Sequence, residues 1–474
     1  MTCALASDPR SAYGNAPSEQ TRPGEIPPNT VRLGEVLGAL SHALDLTEGQ
    51  PPGHSMRCAW IATAIGREMG LSDEALGTVY LATLLKDLGC SSNAARICEL
   101  YLTDDLALKR DFKTIDGSLP AALKFVLTHT GTQSRLTERV GAIVNILRNG
   151  GEIVDEMIET RCDRGATIAR KMGLNEDVAA SIHALDEHWD GSGRPIGISG
   201  DAIPLAARVA LLSQVADIFW SARGPDAARR EVAKRSGGWL DPTLCVVFAD
   251  LAADPAFLAT LGESDVEARV LALAPARISS EADEDTLDRV AGAFADVIDA
   301  KSPFTAGHSR RVTLYADMIA QEMGMAEVER RTLRRAGLLH DVGKLGVSND
   351  ILDKPGKPDE AQWAAIRLHP VHGERILSRV AALRPLAPLA AAHHERLDGK
   401  GYPYALKADD LAPEVRMLTV ADVFDALHAD RPYRAAMPIE RALAILDQDT
   451  GTAFDGDCVA ALKRGLSRTI DART

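Results

Sequence analysis

The chain has 474 residues, 46% of them hydrophobic, and a formal net charge of −14 at pH 7. This length predicts two or three compact domains with hydrophobic cores of their own. The excess of acidic residues excludes a general role in binding nucleic acid or an anionic membrane, because like charges repel, so an anionic substrate must meet positive charge within its site.

The cysteine pattern and the hydropathy of the sequence predict the cellular location of the protein. The seven cysteines are scattered and form no CxxC motif, which favours reduced thiols in a cytoplasmic protein over a disulfide scaffold. No stretch approaches about 18 uninterrupted apolar residues, and the N-terminus lacks an apolar segment. We therefore expect a cytoplasmic protein with no signal peptide and no membrane partner.

The N-terminal part begins with a polar segment and continues as helix. Residues 1–30 are rich in proline and glycine and predict a flexible tail. Beyond Val31, apolar residues recur at three- and four-residue steps, as in Leu33, Val36, Leu37, Leu40 and Leu44. Strand-like alternation is nearly absent from the chain, so the predicted fold class is all-α.

An internal repeat then predicts two tandem helical bundles. Residues 53–57 match 307–311, and residues 84–89 match 338–343, both at an offset of 254. Residues 187–195 match 395–403 at an offset of 208, and residues 215–219 match 420–424 at 205, so that Asp217 pairs with Asp422. The first copy therefore carries extra residues within 91–160.

The boundaries of the two copies follow from these matches. We predict a first domain over residues 31–254, a linker over 255–285 and a second domain over 286–474. Ser279 and Ser280 precede an acidic run, which favours a helix start there, with negative charge beside the positive end of the helix dipole. The second domain is then expected to open with a helix near residues 286–300.

The second copy concentrates residues suited to metal chemistry. Seven of the twelve histidines lie between residues 308 and 428. In the pair His340-Asp341 the carboxylate can bridge two cations while the imidazole binds one of them. The ammonium of Lys344 can then bind an anion. The alternative reading of this pair is a helix end with a hydrogen-bonded histidine.

The motifs of the second copy, taken in order, resemble a known family. They are Gly307-His308-Ser309, His340-Asp341-Val342-Gly343-Lys344, His369-Pro370, His393-His394-Glu395, Gly401-Tyr402-Pro403 and Val420-Ala421-Asp422. From about residue 286 onward the chain resembles the HD-GYP family of the HD-domain metal-dependent phosphohydrolases. The resemblance implies two tandem HD-type bundles, the first of them degenerate.

The resemblance also implies an activity. The expected reaction is metal-dependent hydrolysis of a cyclic dinucleotide, first of all cyclic di-GMP, opened to linear pGpG and further to GMP. A phosphodiesterase that prefers cyclic GMP-AMP, a phosphatase on mononucleotides, and a non-catalytic module that binds a cyclic dinucleotide or a protein partner remain the alternatives.

The family pattern assigns roles to individual residues. One metal ion is expected on His308, His340, Asp341 and Asp422, and a second on His369, His393 and His394, with Asp341 as the bridge. Two divalent cations, iron or manganese, are implied. Asp341 and Lys344 are the expected catalytic residues, and substrate contacts are expected from Lys344, Tyr402, Arg431 and Arg434. The Gly401-Tyr402-Pro403 loop is also an expected surface for a protein partner.

Two positions depart from the family pattern. Phe304 stands where some members carry a glutamate that supports a third ion, and a phenyl ring cannot ligate, so two ions are expected. Asn349 stands where the family commonly has an aspartate, which puts the local rate or affinity in question.

The first copy has lost most of these residues. His54, Asp87 and Asp217 are predicted to survive, whereas Lys86, Arg161, Leu185 and Asp186 replace histidines. A lysine ammonium has no lone pair to give a metal. Our hypothesis is a metal-free copy whose old site is closed by an internal ion pair. Its role is regulatory or structural: it positions the catalytic half, offers a homodimer surface, or only packs.

Overall fold

The computed structural model describes residues 32–115, 118–274, 282–430 and 435–471. Across these ranges the backbone forms α-helices, short 3-10 turns and isolated bridges, with no strand. The predicted all-α fold is confirmed. The predicted tail over residues 1–30 lies outside the described residues, and the domain boundaries stay a prediction.

Thirteen of the described helices belong to residues 32–274, which we call the first repeat. They are α1 (Leu33–Thr47), α2 (His54–Glu68), α3 (Asp73–Leu84), α4 (Ala94–Tyr101), α5 (Asp105–Phe112), α6 (Leu119–His129), α7 (Leu136–Lys171), α8 (Glu176–His183), α9 (Leu205–Arg223), α10 (Pro225–Arg235), α11 (Pro242–Ala253), α12 (Pro255–Ala259) and α13 (Val266–Ala272). Helices α4 to α6 and much of α7 supply the extra length predicted within 91–160.

Ten further described helices belong to residues 282–471, the second repeat. They are α14 (Glu284–Asp299), α15 (His308–Glu322), α16 (Glu327–Leu339), α17 (Asn349–Leu352), α18 (Glu360–Ile366), α19 (His369–Leu377), α20 (Ala387–Ala392), α21 (Pro413–His428), α22 (Ile439–Gln448) and α23 (Gly456–Asp471). The predicted opening helix is α14. Asp283 caps it by accepting a hydrogen bond from the backbone N–H of Thr286, whereas the predicted serine start lies outside the described residues.

The first helix of each repeat packs onto the other repeat. Helix α1 packs against α19 and the turn at residues 342–346, and α14 packs against α7 and the turn at residues 90–93. These contacts form one core that includes Leu40, Phe294 and Val342, all fully buried. The two bundles therefore share a hydrophobic core across their junction.

The region predicted as a linker is largely helical where it is described. Helix α13 packs against α1 and α2, and its Val270 is fully buried in the shared core. Glu267 of the same helix lies 2.7 Å from Arg379 of the second repeat. Residues 266–272 thus contribute to the packing of both repeats.

One described helix, α9, is long and apolar enough to cross a membrane by length and composition. Helix α11 and the segment Pro255–Gly262 pass the same test only together, and they are bent by 92°. In α9, 72% of the apolar window is buried inside the protein, and it packs against α2, α3 and α10. Burial of this kind is expected of the core helix of a bundle.

Candidate metal centre

The centre is built around the point where α16 ends. His340 and Asp341 follow its last residue and lead into the 3-10 turn Val342–Gly346. A Cβ atom on Gly343 would collide with the carbonyl oxygen of His369, so only glycine allows the turn to approach α19 this closely. This approach brings His369 next to Asp341.

A first group of donors gathers around one oxygen of Asp341. The Nε2 atoms of His308 and His340 lie 3.5 Å and 3.3 Å from Asp341 Oδ2. Asp422, from the middle of α21, places Oδ1 3.3 Å from His308 Nε2 and 3.9 Å from His340 Nε2. His308, His340 and Asp422 are all buried.

A second group faces the other oxygen of Asp341. His369 Nε2 and His393 Nε2 lie 3.4 Å and 3.6 Å from Asp341 Oδ1. His394 completes the group, with its Nδ1 atom 3.7 Å from Asp422 Oδ2. Each carboxylate oxygen of Asp341 therefore faces its own set of imidazoles, and all seven predicted ligand residues lie together.

Backbone carbonyls orient three of the imidazoles. The Nδ1–H groups donate to the carbonyl oxygen three residues earlier, at 2.7 Å for His340, 2.7 Å for His369 and 2.6 Å for His393. A proton held on Nδ1 leaves the Nε2 lone pair directed at Asp341, the arrangement that metal-binding histidines use.

A carboxylate orients the fourth imidazole, and its role was missed by our reading of the sequence. His308 Nδ1 lies 2.7 Å from Asp425 Oδ2, and Arg311 Nε lies 2.6 Å from Asp425 Oδ1. Asp425 follows Asp422 by three residues on α21, so both project from one side of the helix. That spacing was the available signal.

Burial and charge set the protonation of the centre. Burial lowers the pKa of His394 to about 3 and that of His393 well below its ordinary value. Burial opposes ionisation of Asp341, but His340 and Lys344 outweigh it and hold its pKa well below the usual range. Burial also opposes a charge on His308, yet the neighbouring carboxylates of Asp341, Asp422 and Asp425 outweigh it and raise its pKa to about 10. The centre therefore combines neutral imidazoles at His393 and His394 with a protonated His308 and ionised carboxylates, and a bound cation would take the place of the His308 proton.

The donors fit a divalent cation. His308 Nε2, His340 Nε2 and Asp341 Oδ1 are buried and make no hydrogen bond with any of the described residues. Leaving such atoms without a partner is costly, and a cation between them removes that cost. A mixed shell of imidazoles and carboxylates suits iron, manganese or zinc.

Lys344 and Tyr402 border the centre. Lys344 Nζ lies 2.5 Å from Asp341 Oδ2, and 20% of its side chain is exposed. The Tyr402 ring stacks on His394 with centroids 4.7 Å apart, and Arg367 Cζ lies 5.6 Å from the tyrosine ring. Arg431 and Arg434, predicted to bind substrate, lie outside the described residues.

The first repeat corrects one prediction about the register of the two copies. Asp217 Oδ2 lies 2.6 Å from His54 Nδ1, and Arg57 Nε lies 2.6 Å from Asp217 Oδ1. These are the contacts that Asp425 makes with His308 and Arg311. The predicted match of Asp217 with Asp422 is therefore wrong.

The true counterpart of Asp422 is a glutamine. The pairs Arg208–Asp241 and Arg416–Asp455, at 2.7 Å and 2.8 Å, occupy equivalent places on α9 and α21. The offset is thus 208 along both helices, as in the preceding block, and Gln214 stands at the position of Asp422. The first repeat has lost this carboxylate as well.

Cationic side chains occupy the place of the missing donors. Lys86, buried at the position of His340, forms an ion pair with Asp87, and Arg161, at the position of His369, forms one with Asp186. Two groups, His54 with Cys58 and Asp217, and Glu48 with Asp87 and Cys90, still bring three donors together. Their carboxylates already contact Arg57, Lys86 and Lys113.

Comparison with known proteins identifies the family. The model of the HD domain matches residues 128–244 and 292–458. The chain is 49% identical to the 3'3'-cGAMP-specific phosphodiesterase 3 of Vibrio cholerae over 446 residues, which is 94% of this chain and 97% of that protein. The chain belongs to the HD-domain family. Its predicted membership of the HD-GYP branch, and of the hydrolases, is confirmed.

Two further relatives bear on the fold and the substrate. A crystal structure of a cyclic GMP-AMP specific phosphodiesterase of Vibrio cholerae has a TM-score of 0.64 and 44% identity, and covers 92% of this chain and 98% of that one. The cyclic di-GMP phosphodiesterase response regulator RpfG of Xanthomonas campestris is 37% identical over 190 residues, 40% of this chain and 49% of that protein.

Proposed function

We propose that the protein is a metal-dependent phosphodiesterase that hydrolyses a cyclic dinucleotide and prefers 3'3'-cGAMP. The observation that carries this proposal is Asp341, whose Oδ1 and Oδ2 atoms face two separate sets of imidazoles at 3.3–3.6 Å. A carboxylate in this position can bridge two cations.

In this proposal the seven residues divide between two ions. His308, His340 and Asp422 hold one cation, and His369, His393 and His394 hold the other, with Asp341 shared. When bound, such a pair of cations supplies an activated water at neutral pH and neutralises charge on the phosphate. The hydrogen bonds that the Nδ1–H groups donate fix four of the imidazoles before substrate arrives, so little reorganisation is needed during the reaction.

Lys344 supplies the positive charge that the acidic chain otherwise lacks for an anionic substrate. Its ammonium neutralises part of the carboxylate charge at Asp341 and reaches the edge of the buried centre. A phosphate oxygen bound beside Asp341 would meet this ammonium. Arg431 and Arg434 remain predicted phosphate contacts, and iron or manganese remains the predicted metal.

The choice of 3'3'-cGAMP over cyclic di-GMP revises the order expected from the motifs. The relative that matches nearly the whole chain, including the first repeat, is named for 3'3'-cGAMP. RpfG, named for cyclic di-GMP, aligns with only 40% of the chain. Cyclic di-GMP therefore becomes the second candidate substrate.

The test is hydrolysis by the purified full-length protein loaded with Mn²⁺ or Fe²⁺. Both cyclic dinucleotides are followed in parallel by chromatography, and we expect faster conversion of 3'3'-cGAMP to a linear dinucleotide. His340→Ala and Asp341→Ala should lose this activity, whereas His372→Ala, a half-buried histidine outside both ligand sets, should retain it.

Two results would contradict the proposal in different ways. Equal or faster hydrolysis of cyclic di-GMP would overturn the choice of substrate and leave the reaction class intact. No turnover of either dinucleotide by protein that contains two metal ions would overturn the reaction class and favour a binding module.

A further inference from the structure

An exposed apolar stripe runs along the outer side of α7. We call it the α7 stripe, and it consists of Leu136, Val140, Val144, Leu147 and Val154, each 47–75% exposed. At about 100° per residue these side chains fall within an arc of roughly 80° on the helix. The side of α7 that faces the protein is a different one, marked by Ile146 and Ile153, which are 5% and 6% exposed.

The neighbouring helix also exposes apolar side chains. Helix α6 adjoins α7, where Arg139 donates a 2.9 Å hydrogen bond to the carbonyl of Leu127. Leu119, Leu123 and Leu127 recur every four residues on α6 and are 84%, 42% and 44% exposed. The α7 stripe presents roughly 450 Å² and α6 roughly 300 Å² more, whereas the largest apolar patch of a typical monomer is about 300–600 Å².

This area suits a stable interface, to which a partner of standard size contributes about 800 Å². We propose that the α7 stripe packs against the α7 stripe of a second copy of the chain, antiparallel, about a two-fold axis near Asn145. An apolar stripe on the exposed side of a long helix is covered most simply by the same stripe of a second copy in such a two-fold pair.

Charge along α7 favours the antiparallel arrangement. Residues 135–148 contain three arginines and one glutamate, a net charge of +2, whereas residues 149–160 contain four acidic residues and no basic one, a net charge of −4. An antiparallel pair sets the basic half of each helix against the acidic half of the other, and a parallel pair sets like against like.

Contacts within the chain compensate part of this charge. Asp155 lies 2.5 Å from Arg194, and Glu156 lies 3.5 Å from Arg96. Glu152 and Glu159 belong to the same half and are exposed. They keep this half of α7 acidic at the protein surface.

Gly151 supports a close approach by another helix. It lies on the α7 stripe between Leu147 and Val154, and an added Cβ would have no atom within 4 Å. Glycine inside an exposed helix costs about 1 kcal/mol relative to alanine. No contact with the described part of the chain requires a glycine at this position. In the antiparallel pair, Gly150 and Gly151 face the region of Val140 of the second copy and leave room for that side chain.

Light scattering after gel filtration at tens of micromolar tests the association. We expect wild type to have twice the 50.7 kDa mass of one chain, and the double variant Val144→Asp, Leu147→Asp to have the mass of one chain with unchanged circular dichroism. Leu314→Asp is the matched control, because Leu314 lies on α15, outside the stripe, and is 59% exposed. The Leu314→Asp protein should stay dimeric. A monomeric wild type, or a double variant that stays dimeric, overturns the proposal.

Disulfide cross-linking tests the orientation with variants that keep most of the stripe. Leu136→Cys and Val154→Cys lie at opposite ends of it, about 27 Å apart. Mixed together and oxidised, they should form a cross-linked dimer between the two variants, beyond the background of wild type and its seven cysteines. Cross-linking of each variant only with itself would show a parallel pair and overturn the arrangement.

Discussion

The carboxylate of Asp105, in the first repeat, accepts a 2.9 Å hydrogen bond from the backbone N–H of Asn349, in the second. Ser348 Oγ donates to the same oxygen at 3.0 Å, and Lys301 Nζ lies 3.5 Å from the other. Asn349 Nδ2 in turn donates to the Lys301 carbonyl at 2.6 Å. This buried cluster ties the first repeat to the loop before His308 and to the segment after Lys344.

Asp105→Asn should lower the free energy of unfolding by about 3 kcal/mol, because it leaves the buried ammonium of Lys301 without its carboxylate. Burial already lowers the pKa of Lys301, and Asp105 opposes that effect. Denaturant unfolding measures the loss. Asp350→Asn, at an exposed position of α17, is the control, and equal stability of the two variants would exclude the proposed role of the cluster.

Lys86→Met should destabilise the first repeat by about 3–5 kcal/mol, because Asp87 then keeps a buried charge without its partner. The double variant Lys86→Met, Asp87→Asn should recover much of this loss. Thermal unfolding of the single and double variants, with exposed Lys124→Met as the control, measures both effects. A single variant as stable as wild type would mean that the ion pair does not hold the old site closed.

The buried carboxylate of Glu48 should make the free energy of unfolding depend on pH in the acidic range. Burial raises its pKa, but Lys113 at 2.5 Å and Lys109 at 3.6 Å outweigh burial and lower the pKa from 4.5 to about 2. The stabilisation is therefore complete above about pH 4.5 and is lost as the pH falls toward 2.

Glu48→Gln should abolish this part of the acid dependence and cost on the order of 3 kcal/mol at pH 7. Unfolding by urea between pH 3 and 7 measures both. The two proteins should converge in stability as the pH falls, and parallel curves would contradict the assignment.

Asp425→Asn should weaken metal binding or activity roughly 10- to 100-fold, because the amide no longer holds His308 Nδ1 as a carboxylate does. Titration with Mn²⁺ followed by assay of hydrolysis measures both quantities. Asp447→Asn, at an exposed position of α22, should behave as wild type. An unaffected Asp425→Asn variant would show that Asp425 serves the stability of α21 and not the centre.

Site residues could be predicted from the sequence where they belong to short local motifs. They could not be assigned where two similar residues lie close together in the chain. The order of the histidine and aspartate motifs predicted the seven residues that the structure brings together. In the first repeat, the Val-Ala-Asp-Ile-Phe pattern of residues 215–219 aligned Asp217 with Asp422, although its contacts are those of Asp425. Only distances to His54 and Arg57 separate two aspartates three residues apart.

Contacts between segments that are distant in the chain could not be predicted from the sequence either. Amphipathic spacing in α1 and α14 predicts a buried side for each helix, but it does not say which repeat covers that side. The packing of each of these helices against both repeats, and the contact of Asp105 with Asn349, depend on the packing of the whole chain.

Metal analysis of the purified protein tests the central claim most directly. Wild type should hold two equivalents of iron or manganese per chain, His340→Ala and Asp341→Ala should hold fewer, and His54→Ala should still hold two. A His54→Ala variant that loses metal, or a His340→Ala and an Asp341→Ala variant that keep both ions, would contradict a centre confined to the second repeat.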